Sequence, residues 1–78
     1  MNNLAKYNEI MMEAFGIEES QLAGLEYQAI AEWDSIGHMT MTAMLEEAFD
    51  IMLDTDDIID FSSYEKGIEI LKKYDVEF

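Results

Sequence analysis

Apolar residues recur at three- and four-residue intervals along most of the chain and lose that rhythm in one stretch. Leu4, Tyr7, Ile10, Met11, Ala14 and Phe15 fall on one side of a 3.6-residue repeat, which predicts an amphipathic helix over about residues 3–15, with Gly16 placed to end it. From Ile17 to Asp34 the periodicity fails and Gly24 interrupts the middle. A long loop is expected there, with room for a turn of helix, tacking Leu22, Leu25, Ile30 and Trp33 onto the core. A second helix is predicted from Ser35 to about Asp50. Asp54-Thr55-Asp56-Asp57 supplies N-cap chemistry for a short helix over about residues 56–60. Ser62 or Ser63 caps a last helix to about Lys73, with Tyr64, Ile68, Ile70 and Leu71 inward. Lys72 and Lys73 then stand at its end, where cations complement the helix dipole. No stretch alternates as a strand would. The expected fold is all-α: a four-helix bundle with three longer helices, one short helix and a long loop between helices 1 and 2.

The second helix has two apolar stripes. Met41, Met44, Leu45, Ala48, Phe49 and Met52 gather on a broad face, while Ile36, Met39 and Ala43 form a narrower one on roughly the opposite side. A helix in a thin bundle buries one face, so the broad stripe is expected in the core and the narrow one in solvent. An exposed apolar strip beside Glu47 and Asp50 has the makings of a docking surface, although scattered surface apolars are also ordinary.

Composition narrows the function classes. The 78 residues allow a single small domain over 1–78, too small for an elaborate catalytic scaffold. There is no cysteine, which removes disulfides, thiolate zinc sites and cysteine nucleophiles and fits a cytoplasmic protein. Four Lys or Arg residues against 18 Asp or Glu give a net charge of -14. That field opposes nucleic acid and anionic membranes and favours basic protein partners. No apolar run approaches the roughly 18 residues of a membrane span, and Met1-Asn2-Asn3 lacks the basic start of a signal peptide. The plainest expectation is a soluble, monomeric, acidic helical domain.

Asp34-Ser35 opens the second helix after Trp33. A serine there sets its hydroxyl beside unpaired backbone N–H groups and the positive end of the dipole, an environment that stabilises a phosphate on the oxygen. Asp34 beside it is suited to hold a metal that delivers the phosphate donor. The competing reading is an ordinary N-cap, since serine is among the commonest. The capping-box partner is then missing, because His38 occupies its place.

The run Glu32-Trp33-Asp34-Ser35-Ile36-Gly37-His38-Met39, continued by Leu45-Glu46-Glu47-Ala48-Phe49-Asp50-Ile51, resembles the acyl carrier protein family. In that family an Asp-Ser-Leu motif opens the second helix and a Leu-Glu-Glu-x-Phe segment closes it. Asp34-Ser35-Ile36 stands for the first motif, with isoleucine for leucine, and Leu45-Glu46-Glu47-Ala48-Phe49 matches the second. The resemblance implies a 4′-phosphopantetheine arm on Ser35, installed from coenzyme A by a phosphopantetheinyl transferase using magnesium. Its thiol would hold an acyl group as a thioester for acyl-loading, acyl-transfer or condensing enzymes with basic docking patches. The protein itself would not be an enzyme. Ile36, His38, Met39, Ala43 and Glu47 are the implied docking residues, with His38 expected to face solvent. Carriers of primary fatty-acid synthesis have acidic residues just after the serine, where this chain has Gly37 and Thr40. Acidity is displaced to Glu46, Glu47 and Asp50, which points to a specialised lipid, polyketide or related pathway. An aminoacyl or peptidyl carrier of the same fold, and an acidic adaptor without prosthetic group, are the alternatives.

Three other constellations compete. Ser35 and His38 have the three-residue spacing of a hydrolase dyad, but an orienting acid, an oxyanion hole and a pocket would also be required. Asp54, Asp56, Asp60 and Glu65 fit four places of a calcium loop, yet Ile58 and Ile59 occupy its fifth and sixth, leaving only loose divalent binding. Seven methionines, of which Met11, Met41, Met44 and Met52 are expected inside, either fill the core or let it open around an acyl chain.

Overall fold

Local chemistry at the chain's turning points sets the four helices. The computed structural model describes residues 2–78; Met1, part of the opening segment read for a targeting signal, lies outside them. Helix α1 spans Asn3–Phe15: the Asn2 side chain caps it by accepting the Ala5 N–H at 2.7 Å, and Gly16, at φ 63°, returns its own N–H to Met12. A left-handed residue at that position favours glycine. Helix α2 spans Ser35–Phe49, α3 Thr55–Asp60 and α4 Tyr64–Lys72. Ser63, the second of the two candidate serines, caps α4 by accepting the Lys66 N–H. Among the described residues there is no strand, and no helix is long and apolar enough to cross a membrane.

The core is built from Tyr7, Ile10, Met11 and Phe15 of α1, Met41 and Leu45 of α2, and Ile70 and Leu71 of α4. Leu22, Leu25 and Trp33 from the loop complete it, as expected, together with Leu53, Phe61 and Val76, which the periodicity does not single out. Leu4, at the start of the α1 stripe, remains 40% exposed. Gly67 lets α4 approach α1, since a Cβ there would run into the Tyr7 hydroxyl and the Phe61 ring.

The α1–α2 loop is ordered by backbone pairing, which side-chain periodicity cannot reveal. A short 3-10 turn occupies Glu19–Gln21, and further on Tyr27 N–H donates to Ser62 O while Tyr64 N–H donates to Leu25 O, both at 2.9 Å. These bonds frame an isolated antiparallel bridge between Glu26 and Ser63 and pin the loop to the α3–α4 connection. Gln28 N–H then closes on Trp33 O, and the indole of Trp33, fully buried, stacks on Phe15 with ring centroids 4.9 Å apart.

The broad stripe of α2 needs correction at both ends. Met41 and Leu45 are buried and Met44, Ala48 and Phe49 half-buried, but Met52 is 83% exposed. The helix stops at Phe49, Asp50 turns left-handed at φ 53°, and the 3.6-residue repeat no longer governs where Met52 lands. At the other end the buried face begins with His38 and Thr42, two polar residues. The observed inward stripe is therefore 38, 41, 42 and 45.

Candidate functional site

Ser35 is exposed, but it is not the helix cap. Asp34 takes that role: its Oδ1 accepts the Gly37 N–H at 2.8 Å, and its carbonyl accepts the His38 N–H at 2.8 Å. Ser35 is thereby the first helical residue, with its hydroxyl free of capping duty. The N–H groups of Ser35 and Ile36 have no partner within the helix. Gly37 is required by close approach, since a Cβ would overlap the Glu32 carbonyl oxygen. The end of the loop thus lies directly against the turn that presents the serine.

Of the predicted docking residues, Ile36 is 78% and Met39 55% exposed, and Ala43 and Glu47 also face solvent. His38 does not. It is 9% exposed, with Nδ1 2.9 Å from the Trp33 indole nitrogen and Nε2 2.7 Å from the Ile58 carbonyl oxygen. The physical reason is that position 38 continues the 38-41-45 spacing of the buried face, and two hydrogen bonds compensate the cost of burying a polar ring. That same arrangement denies the Ser35–His38 dyad, because both ring nitrogens are engaged elsewhere. Glu46, read as part of the displaced acidic face, instead turns back to accept the Leu53 N–H at 2.8 Å.

A cleft of about 330 Å³ opens beside Ser35 between α2 and α3, lined by Tyr27, His38, Met39, Ile59 and Phe61 among others. Ile59, 73% exposed on α3, extends the apolar strip of Ile36 and Met39 across the cleft. Sequence periodicity misses it because α3 has only six residues, too few to display a face. No lysine lines the cleft; the four lysines are Lys6 on α1, and Lys66, Lys72 and Lys73 on or just after α4, with Lys73 engaged by Asp57 of α3.

Asp54, Asp56, Asp60 and Glu65, the carboxylates that suggested calcium, form no metal-binding group among the described residues, and Glu65 accepts the Gly24 N–H at 2.9 Å. Asp57, buried, binds Lys73 Nζ at 2.5 Å and the Tyr74 hydroxyl, and these bonds, Lys73 first, hold its carboxyl below the usual range. Asp57 reciprocally raises the Lys73 ammonium. Among the described residues no three or more His, Asp or Glu side chains are grouped to hold a metal ion, and Asp34 has one oxygen committed to Gly37.

Compared with family models, curated proteins and solved structures, the chain has no match.

Proposed function

We propose that the chain is an acyl carrier protein in which Ser35 bears a 4′-phosphopantetheine arm and presents a thioester-bound acyl group to partner enzymes. The observation that supports this reading is an exposed serine hydroxyl in the first helical position of α2, relieved of capping by Asp34 and set at the mouth of an apolar cleft. A phosphodiester on that oxygen would lie against the positive end of a 15-residue helix, near two N–H groups without helical partners. The residues present suit such a group, since the serine is exposed and the buried Asp57 carboxylate on α3 is paired with Lys73. When bound, the arm supplies the thiol that a cysteine-free chain lacks.

The chain's own residues orient and attract. Asp34 fixes the first turn of α2, and Ile36, Met39 and Ile59 form an apolar face around the attachment point. Exposed Glu47 and the net charge of -14 would steer basic patches on a phosphopantetheinyl transferase and on acyl-loading or condensing enzymes toward that face. Gly37 and Thr40, in place of acidic residues, make it less charged next to the serine, which favours a specialised lipid or polyketide pathway.

The test is whole-protein mass before and after incubation with coenzyme A, magnesium and a broad-specificity transferase. A mass gain that disappears in Ser35→Ala is the expected result. No gain, with the protein folded, would leave the acidic adaptor as the better reading.

A further inference from the structure

His38 is the only histidine in the chain, and its partners fix its protonation. The indole N–H of Trp33 can only donate, so Nδ1 must offer a lone pair; the Ile58 carbonyl can only accept, so Nε2 must bear the hydrogen. The neutral ring therefore joins three pieces of the fold: the end of the loop through Trp33, the first turns of α2, and α3 through Ile58.

A second proton has only Nδ1 to go to, where it would meet the indole N–H head on. Trp33 is fully buried and its N–H would be left without an acceptor. The side chains packed on the imidazole are uncharged: Trp33 stacks at 6.2 Å, and Tyr27 and Phe61 meet it edge-on at 5.4 and 5.9 Å. Tyr27, a phenol, is the titratable one among them. From α3 the contact is a backbone carbonyl, and the adjacent carboxylate of Asp57 is engaged by Lys73 and Tyr74. On the α2 side the Asp34 carboxylate is held by Gly37. Among the described residues no carboxylate pairs with the ring, so an imidazolium there gains no counter-charge.

We propose that His38 is a proton-operated latch for the loop beside Ser35. Unprotonated at Nδ1, it holds Trp33 and so keeps the 28–33 segment against the first turn of α2. Proton uptake at Nδ1 breaks that bond while the Nε2–H bond to Ile58 persists, loosening the loop side, where Trp33 is still held by its stacking on Phe15, and keeping the α3 side. The hold of the ring on the loop that abuts the Ser35 turn is thereby weakened when Nδ1 takes up a proton. The latch needs no prosthetic group, so its test is independent of the carrier reading.

The unmodified full chain is titrated from about pH 8 to about pH 5, a window spanning ordinary histidine titration, while nuclear magnetic resonance follows the His38 ring carbons and the single indole proton of Trp33. Both signals should move with one midpoint. In Trp33→Phe, which removes the donor and leaves an aromatic ring, the His38 midpoint should rise by roughly half to one pH unit, the worth of one hydrogen bond to the neutral form. The proposal is overturned by a His38 titration that leaves the indole proton unmoved, by a ring that stays neutral throughout, or by an unchanged or lowered midpoint in folded Trp33→Phe. The wild-type titration decides by itself if that variant does not fold.

Discussion

Helix α1 buries Tyr7, Ile10, Met11 and Phe15, whereas α3 buries a single side chain, the carboxylate of Asp57. The first is held by apolar area removed from water. The second is held by polar ties: Asp57 to Lys73 and Tyr74, the Asp54 N–H to the Tyr74 hydroxyl, and the Ile58 carbonyl to His38. Apolar burial is indifferent to protonation near neutrality, while polar ties depend on it. The cleft beside Ser35 has α3 as one wall, so the region proposed for function is also the one held by titratable bonds.

Breaking the apolar half should have the largest effect. Trp33→Ala removes the indole stacked on Phe15 and should cost about 3–5 kcal/mol by denaturant unfolding, a large share of what so small a domain has. A loss below about 1 kcal/mol would mean that the loop contributes little to the core.

Loss of the α3 tie comes next and should be visible mainly in pH dependence. The Asp57 carboxyl is lowered by Lys73 and then Tyr74, so its stabilisation is present above the ordinary carboxylate pKa near 4 and is lost as pH falls through the lowered value. Asp57→Asn should lower the melting temperature at neutral pH and flatten that acid limb. The opposite limb is set by groups whose values are raised: Lys73, by its bond to Asp57, and Tyr7, by burial and then by Tyr64 and Glu65. Their contribution is present below about pH 10 and is lost as pH rises through the raised values. An acid limb unchanged in Asp57→Asn would show that other carboxylates dominate it.

Self-repulsion should have a smaller, general effect. With a net charge of -14, added sodium chloride or magnesium should raise the melting temperature, and a flat or falling series would dismiss repulsion as a factor. Smallest for stability is the exposed apolar strip: Ile36→Ala should change unfolding free energy by no more than about 0.5 kcal/mol, while weakening partner binding in a pull-down with a carrier-recognising transferase. A strongly destabilised Ile36→Ala would place that side chain in the packing and not on a docking face.

Element existence was legible in the sequence wherever side-chain rhythm controls structure. Helices α1, α2 and α4 end within about two residues of where periodicity and caps put them, close to the ordinary ambiguity of helix ends. Three features were not legible. The loop takes its shape from backbone bonds of Leu25 and Tyr27 to the α3–α4 connection, which leave no side-chain pattern. His38 and Thr42 occupy the buried face of α2, but a reading that counts only apolar residues skips them and shifts the stripe toward Met52. Their 38-41-42-45 spacing with Met41 and Leu45 was the available signal, and Trp33 five residues before His38 supplied a donor. Ile59 was hidden by the shortness of α3. The serine itself was legible from its neighbourhood, and the competing reading of it as an ordinary N-cap fails because that role belongs to Asp34.

The most direct measurement is fragmentation mass spectrometry on peptides of the chain after treatment with coenzyme A and the transferase. The chain has four serines, Ser20, Ser35, Ser62 and Ser63, and Ser62 borders the same cleft as Ser35. The account predicts the added mass on Ser35 alone. Modification of Ser62 or another serine, or an unmodified Ser35 in a folded protein, would contradict it.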